Sequence, residues 1–140
     1  MAMKRILSIA CLFLSALFAA DPDGFVLWPQ GKPPGGKGVK FDNHGLSISH
    51  RDKSGGAELH EKQTDIFVVQ SGEADIVIGG EVVGAKTESP GEIRGTSIQN
   101  GVRKHISAGD VVHIPAKMPH QFFLEPGQQI TYFVVKVDSL

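Results

Sequence analysis

Short runs of β-forming residues, each ended by turn residues, dominate this sequence from about residue 45 onward. These runs are rich in β-branched and aromatic side chains. Outside the first twenty residues, no window shows the periodicity of an amphipathic helix. Many short strands with frequent turns predict an all-β sandwich or barrel. The predicted strands are Leu46–His50, Ala57–His60, Ile66–Gln70, Ala74–Ile78, Val82–Val83, Val102–Ile106, Val111–Ile114, Gln121–Leu124 and Ile130–Val137.

Length and composition narrow the class of protein further. The chain has 140 residues, enough for one domain with its own core and too few for two. Its 17 glycines and 8 prolines are many for this length and indicate frequent turns. Lys and Arg total 14 against 15 Asp and Glu, with a single Trp and no basic cluster. This near-neutral charge gives no support for nucleic-acid binding.

The first twenty residues are predicted to be a secretory signal peptide. Lys4 and Arg5 precede an uncharged, mostly apolar stretch from Ile6 to Ala20, which is short for a bilayer span of roughly 20 residues. We expect cleavage near Asp21, a periplasmic or secreted location, and no membrane contact after the leader is removed. An uncleaved anchor or a buried helix is the alternative. Because the only cysteine, Cys11, lies in this stretch, the mature domain would have no disulfide or thiol chemistry.

Two further segments are set apart by their glycine and proline content. Residues 21–44 are predicted to be an irregular N-terminal arm, with one short strand at Phe25–Trp28, before a barrel over residues 45–140. Residues 84–101 are polar and glycine-rich, and they predict a mobile loop over the barrel mouth with one possible strand at Glu92–Ile98. The dipeptide Gly79-Gly80 predicts a tight hairpin between the strands beside it.

Two short segments of the sequence are distinguished by the spacing of a few of their residues. In the first, Glu58-Leu59-His60 is followed after four residues by Asp65 and, after six more, by Gly72. In the second, Gly109 is followed by five residues, then Pro115, and later His120, within the sequence AGDVVHIPAKMPHQF.

These residues, with the strands around them, resemble the cupin superfamily over residues 45–137. The resemblance implies a small double-stranded β-helix (cupin or jelly-roll) barrel, a homodimer, and one divalent metal inside the barrel. In cupins the metal is bound by two histidines and an acidic residue of the first motif and by a histidine of the second. Here Glu58 replaces the first histidine and Asp65 replaces the glutamate. Three scaffold positions of the motifs also differ, with Asp52, Lys117 and Leu124 in place of Gly, Gly and Asn.

The ligand chemistry still works with these replacements. Alternate residues of a strand point to the same face, so Glu58 and His60 are expected to project together into the barrel, and His120 to approach from a facing strand. Two imidazoles and one carboxylate suit Fe, Mn, Zn or Ni and leave coordination positions open. Asp65 is a fourth ligand, an acceptor that fixes the tautomer of His60, or a catalytic general base. The alternative is an ordinary polar barrel interior without metal.

The predicted function is that of an exported metalloenzyme acting on a small oxygen-rich molecule, by dioxygenase, lyase or isomerase chemistry. The alternatives are a non-catalytic ligand-binding or sensor domain and a purely structural barrel. His113 and His50 are predicted to lie at the surface, and strand alternation points Glu61 outward. Arg94 and Arg103 are candidates for contact with an anionic substrate at the rim.

Overall fold

The computed structural model describes residues 22–139, so the predicted leader and Cys11 lie outside the described residues. Within that range the helical segments are two 3₁₀ turns, Pro29–Gly31 and Pro34–Gly36, and no described helix is long and apolar enough to span a membrane. The strands are β1 (Val39–Lys40), β2 (His44–Arg51), β3 (Ala57–His60), β4 (Gln63–Ile78), β5 (Glu81–Val83), β6 (Lys86–Ser89), β7 (Glu92–Gly95), β8 (Ser97–Gln99), β9 (Val102–Ser107), β10 (Val111–Ile114), β11 (His120–Phe123) and β12 (Ile130–Asp138).

The strands form two antiparallel sheets that share the long strand β4. The first half of β4 pairs with β10 and β12, and β12 continues this sheet to β2 and β1. The second half of β4 pairs with β9 and β11, and β11 continues the other sheet to β3, β7 and β6. A small separate ribbon pairs β5 with β8. The predicted all-β architecture is confirmed.

The core lies between the two sheets and is built by alternation along the strands. Phe67 and Val69 of β4 are almost fully buried, as is Tyr132 of β12, whereas Val68 between the first two is exposed. The rings of Phe67 and Tyr132 have centroids 4.9 Å apart, and Phe122 of β11 lies 5.9 Å from Phe67. Because Phe122 belongs to the opposite sheet, these rings join the sheets. Full burial of such side chains contributes about 1.5–3 kcal/mol each.

Strand β4 passes from one sheet to the other at Gly72, the glycine that closes the first motif. Its φ is +76°, a conformation that side chains with a Cβ rarely adopt. A Cβ at this position would lie 1.9 Å from the carbonyl oxygen of Gln129, because the neighbouring chain passes directly over it. The pairing register with β12 also shifts between Thr131 and Tyr132, next to this bend. The close chain crossing therefore requires glycine here.

Three details of the predicted strands are wrong. Ile66–Gln70 and Ala74–Ile78 belong to one continuous strand, β4, because the bend at Gly72 does not end the pairing. Gly79-Gly80 forms a turn, but β4 pairs there with β9 and not with β5. Phe25–Trp28 is not a strand. Instead, the Trp28 ring packs edge-on against Phe133 at a centroid distance of 5.8 Å.

The largest correction concerns residues 84–101, which form the strands β6, β7 and β8 and not a loop; the possible strand at Glu92–Ile98 is present, divided into β7 and β8. All four residues of β7 pair with β3, the strand that bears Glu58 and His60. Polar composition indicated a loop because β6 is the edge strand of its sheet and β8 belongs to a small two-stranded ribbon, where polar side chains reach solvent. The segment is therefore part of the wall that holds the candidate site.

Candidate metal centre

The three residues predicted from the motifs lie together in the interior. Glu58, His60 and His120 each offer one ligand atom, and these atoms all lie within 4.8 Å of one another. Strand alternation places Glu58 and His60 on the inner face of β3, and the antiparallel register places His120 of β11 directly opposite Glu58. The two histidines are 5% and 2% exposed. This cluster could hold a metal ion.

Hydrogen bonds orient both imidazoles toward the same space. His60 Nδ1 lies 2.7 Å from the Oε2 atom of Glu92, and His120 Nδ1 lies 3.3 Å from the carbonyl oxygen of Met118. In the metal-binding form of each histidine these acceptors would hold the ring proton on Nδ1, so that Nε2 would face the ion. Metal-binding histidines are commonly oriented in this way by a carboxylate or a backbone carbonyl.

Glu92 therefore fills a role that the sequence analysis offered to Asp65. The register of β3 and β7 places Glu92 directly opposite His60, so this contact is a cross-strand pair. The sequence did not single out Glu92, because the polar composition of residues 84–101 predicted a loop with only one possible strand, at Glu92–Ile98. The alternation of Glu92 and Arg94 on β7 was the available signal, since both side chains point to the same side as Glu58 and His60.

Asp65 of β4 lies on the other side of His60. Its Oδ2 atom is 3.3 Å from His60 Nε2 and 3.9 Å from His120 Nε2, and the residue is 6% exposed. It therefore contacts His60 on the Nε2 side, opposite Glu92, and its role as an acceptor that fixes the tautomer stays a prediction. A role as fourth ligand or as general base stays a prediction.

Three cations surround the cluster, and the sequence analysis identified only one of them. Glu58 Oε1 accepts a hydrogen bond from Arg51 of β2 at 2.9 Å and forms a salt bridge with Arg94 of β7 at 2.7 Å. Lys136 of β12 donates to Asp65 Oδ1 at 2.9 Å, and its Nζ atom lies 3.0 Å from His60 Nε2. The sequence did not single out Arg51 and Lys136, because a lone basic residue in a strand is usually exposed.

These charges set the protonation of the site. Burial alone would raise the pKa of Glu58, but His120 and the guanidinium groups of Arg51 and Arg94 hold that pKa well below its usual range. Burial also opposes ionisation of Asp65, yet His60 and Lys136 lower its pKa. Both carboxylates are therefore ionised at neutral pH, which is the state that binds cations.

A small cavity adjoins the cluster. Its volume is about 120 Å³, and its walls include Ser47, Ser49, Phe122 and Tyr132. Since a water molecule takes about 30 Å³ of liquid, this space suits a ligand of about four non-hydrogen atoms. A larger groove of about 420 Å³ on the outer surface has no charged side chain in its lining. We therefore place the chemistry in the interior.

The remaining candidates lie outside this site. His50, His113 and Glu61 are exposed, as the sequence analysis predicted. Arg103 is also exposed and pairs with Asp75 at 2.7 Å, far along β4 from the cluster. Of the two arginines considered for substrate contact, only Arg94 borders the cavity.

Two facing antiparallel sheets with a polar cluster between them define a double-stranded β-helix. A protein with a double-stranded β-helix domain from Klebsiella pneumoniae aligns over 72% of this chain and 72% of its own, at 16% identity and a TM-score of 0.52. The DMSP lyase DddQ from Ruegeria pomeroyi aligns over 71% of this chain at 15% identity and a TM-score of 0.51, but this covers only 41% of the lyase. A cupin protein from Bacteroides fragilis aligns over 70% of this chain and 68% of its own, at 18% identity and a TM-score of 0.49.

The chain therefore has the double-stranded β-helix fold that its motifs predicted. At these identities the solved structures bear on the fold and not on the reaction. No protein-family profile and no curated protein matches the sequence.

Proposed function

We propose that this protein is a metal-dependent enzyme that binds one divalent ion through Glu58, His60 and His120 and acts on a small oxygen-rich molecule. The observation that supports this most strongly is the orientation of the two imidazoles, whose Nε2 atoms face the space that Glu58 also faces. Two histidines and one carboxylate leave positions open for a substrate. A divalent ion in this site would supply Lewis-acid polarisation of a substrate oxygen.

The chain's own residues limit what the substrate can be. The cavity of about 120 Å³ admits only a small molecule, and the rings of Phe122 and Tyr132 close it on one side. Asp65 is an ionised acceptor beside the cavity, and we propose it as the group that takes a proton from the substrate. While Lys136 donates to it, Asp65 is a weak base, so its basicity depends on where that ammonium lies.

The donor set suits Fe, Mn, Zn and Ni alike, because the general order of affinities of divalent metals does not distinguish among them for a given site. Elemental analysis of protein purified without a metal-affinity tag should find about one such ion per chain. The loaded protein should then consume small hydroxy acids or keto acids, measured by oxygen uptake and by NMR of the products. Chelator-stripped protein is the control.

The outcomes separate the candidate functions. Turnover that disappears with chelator supports the enzyme. Tight binding of a small molecule without turnover would favour a binding or sensor domain. Protein that purifies without metal, takes none up on titration and shows no thermal shift would refute the metal site itself.

We also propose that the protein is exported. The support is the short apolar stretch behind Lys4 and Arg5, which ends near Ala20. Intact-mass analysis of protein expressed with its leader is expected to show the loss of about twenty residues. Full-length protein in the cytosol would contradict this. The homodimer implied by the cupin resemblance stays a prediction.

A further inference from the structure

Two of the three candidate ligands, Glu58 and His60, have a protein cation in contact with them. The two guanidinium groups share one oxygen of Glu58, Oε1, and the other oxygen lies 3.7 Å from His120 Nε2. The ammonium group of Lys136 contacts both His60 Nε2 and Asp65. Glu58 therefore has one oxygen, Oε2, that is not paired with a protein cation. The Nε2 atom of His60, in contrast, is in contact with the ammonium group of Lys136.

Lys136 must therefore compete with a metal ion for His60. A neutral imidazole has one lone pair, so Nε2 cannot accept from an ammonium group and coordinate an ion at once. The two positive charges would also repel strongly at this distance, because the site is largely buried. For His60 to act as a ligand, the Lys136 ammonium has to move away from Nε2.

The charge balance of the site indicates which kind of group the displaced ammonium of Lys136 would contact. The carboxylates of Glu58, Asp65 and Glu92 balance the charges of Arg51, Arg94 and Lys136. A divalent ion adds two positive charges that nothing in this cluster balances. The lysine stem is flexible, and Lys136 lines the same cavity of about 120 Å³. The displaced ammonium can therefore contact a small anion in that cavity.

We infer that a divalent metal and a small carboxylate anion bind to this interior cooperatively, and that Lys136 is the residue that couples them. The metal displaces the ammonium group from His60, and the ammonium group then binds the anion. This inference rests on the proposed metal site and deepens it by naming the class of ligand. The size of the cavity favours an anion as small as acetate.

Titration of Mn(II) into the wild-type protein tests this coupling, with acetate and acetamide as matched probes at constant ionic strength. The two molecules are nearly the same size, but only acetate is charged. Coupling between linked sites is typically about 5–150-fold and is reciprocal. We expect acetate to raise the Mn(II) affinity about tenfold and acetamide to leave it unchanged. Manganese should raise the acetate affinity by the same factor.

Lys136→Met is the decisive variant, because it removes the competing charge. Without acetate it should bind Mn(II) about tenfold more tightly than the wild type, and acetate should no longer raise its affinity. Lys104→Met is the matched control, since Lys104 is an exposed residue of β9 outside the site. It should behave as the wild type does. If circular dichroism shows that Lys136→Met is unfolded, Lys136→Gln replaces it.

The results distinguish this inference from the proposed metal site. If Mn(II) binds to the wild type but acetate and acetamide act alike, the inference is wrong and the metal site stands. The same holds if the Lys136 variant has the wild-type affinity. If neither protein binds Mn(II), Fe(II) or Zn, both the metal site and the inference are wrong.

Discussion

His120→Ala is expected to abolish stoichiometric metal binding. The substitution removes one of the two imidazoles whose Nε2 atoms face the site and leaves Glu58 and His60 as the remaining cluster donors. Two protein donors rarely hold a divalent ion firmly, so bound metal should fall from about one per chain to a small fraction. Both proteins are stripped with chelator and titrated with Mn, Fe(II) and Zn. Metal content and the metal-induced shift in melting temperature are then measured.

Two further variants are compared with His120→Ala, one as a control and one with an expected intermediate loss of metal affinity. His113→Ala removes an exposed imidazole of β10 and should retain full metal content. Glu92→Gln keeps the His60 ligand but replaces the carboxylate that accepts from its Nδ1 atom, which should weaken binding about 10–100-fold. If His120→Ala binds as much metal as the wild type, Glu58, His60 and His120 are ordinary residues of the barrel interior.

Gly72→Ala is expected to destabilise the fold by about 3 kcal/mol or more, through two costs that act together. The first is the positive φ of +76°, which is unfavourable for alanine by about 1–2 kcal/mol. The second is steric, because the new Cβ would meet backbone atoms of Gln129 and Ile130, and backbone cannot rotate away as a side chain can. For a domain of this size the melting temperature should fall by at least about 10 °C.

Gly109→Ala separates the two costs. Gly109 opens the second motif and also has a positive φ, +95°, but no atom lies within 4 Å of a Cβ built there. It should therefore lose only the conformational part, about 1–2 kcal/mol. Both variants are unfolded by urea and by heat, with the wild type alongside. Equal losses for the two variants would show that the chain crossing at Gly72 relaxes at little cost.

The strands could be predicted well because their signals are local. Alternation and turn residues act over a few positions, and they located β3 and β10 to the residue. The same alternation predicted correctly that Glu58 and His60 share a face and that Glu61 points away. The predicted loop over residues 84–101 failed because an edge strand of polar residues has the same local composition as a loop.

The partners of the site residues could not be predicted in the same way. Lys136 lies 71 positions from Asp65 along the chain, and they meet because β12 and β4 pair in one particular register. Arg94 and His120 flank Glu58 from two neighbouring strands for the same reason. A register is decided by the whole sheet, since a slip of one residue would turn every inward side chain outward.

The sequence by itself therefore determined the all-β class, through periodicity and turn residues within short windows, and its resemblance to the cupin motifs predicted the barrel and the candidate ligands Glu58, His60 and His120. The tertiary structure decided that Glu92 orients His60, that Asp65 lies on the Nε2 side, and that Arg51, Arg94 and Lys136 neutralise the carboxylates. Those contacts depend on which strands become neighbours. The electrostatics of a buried site are a property of that neighbourhood, and they arise only when distant segments of the chain are brought within a few ångströms of one another.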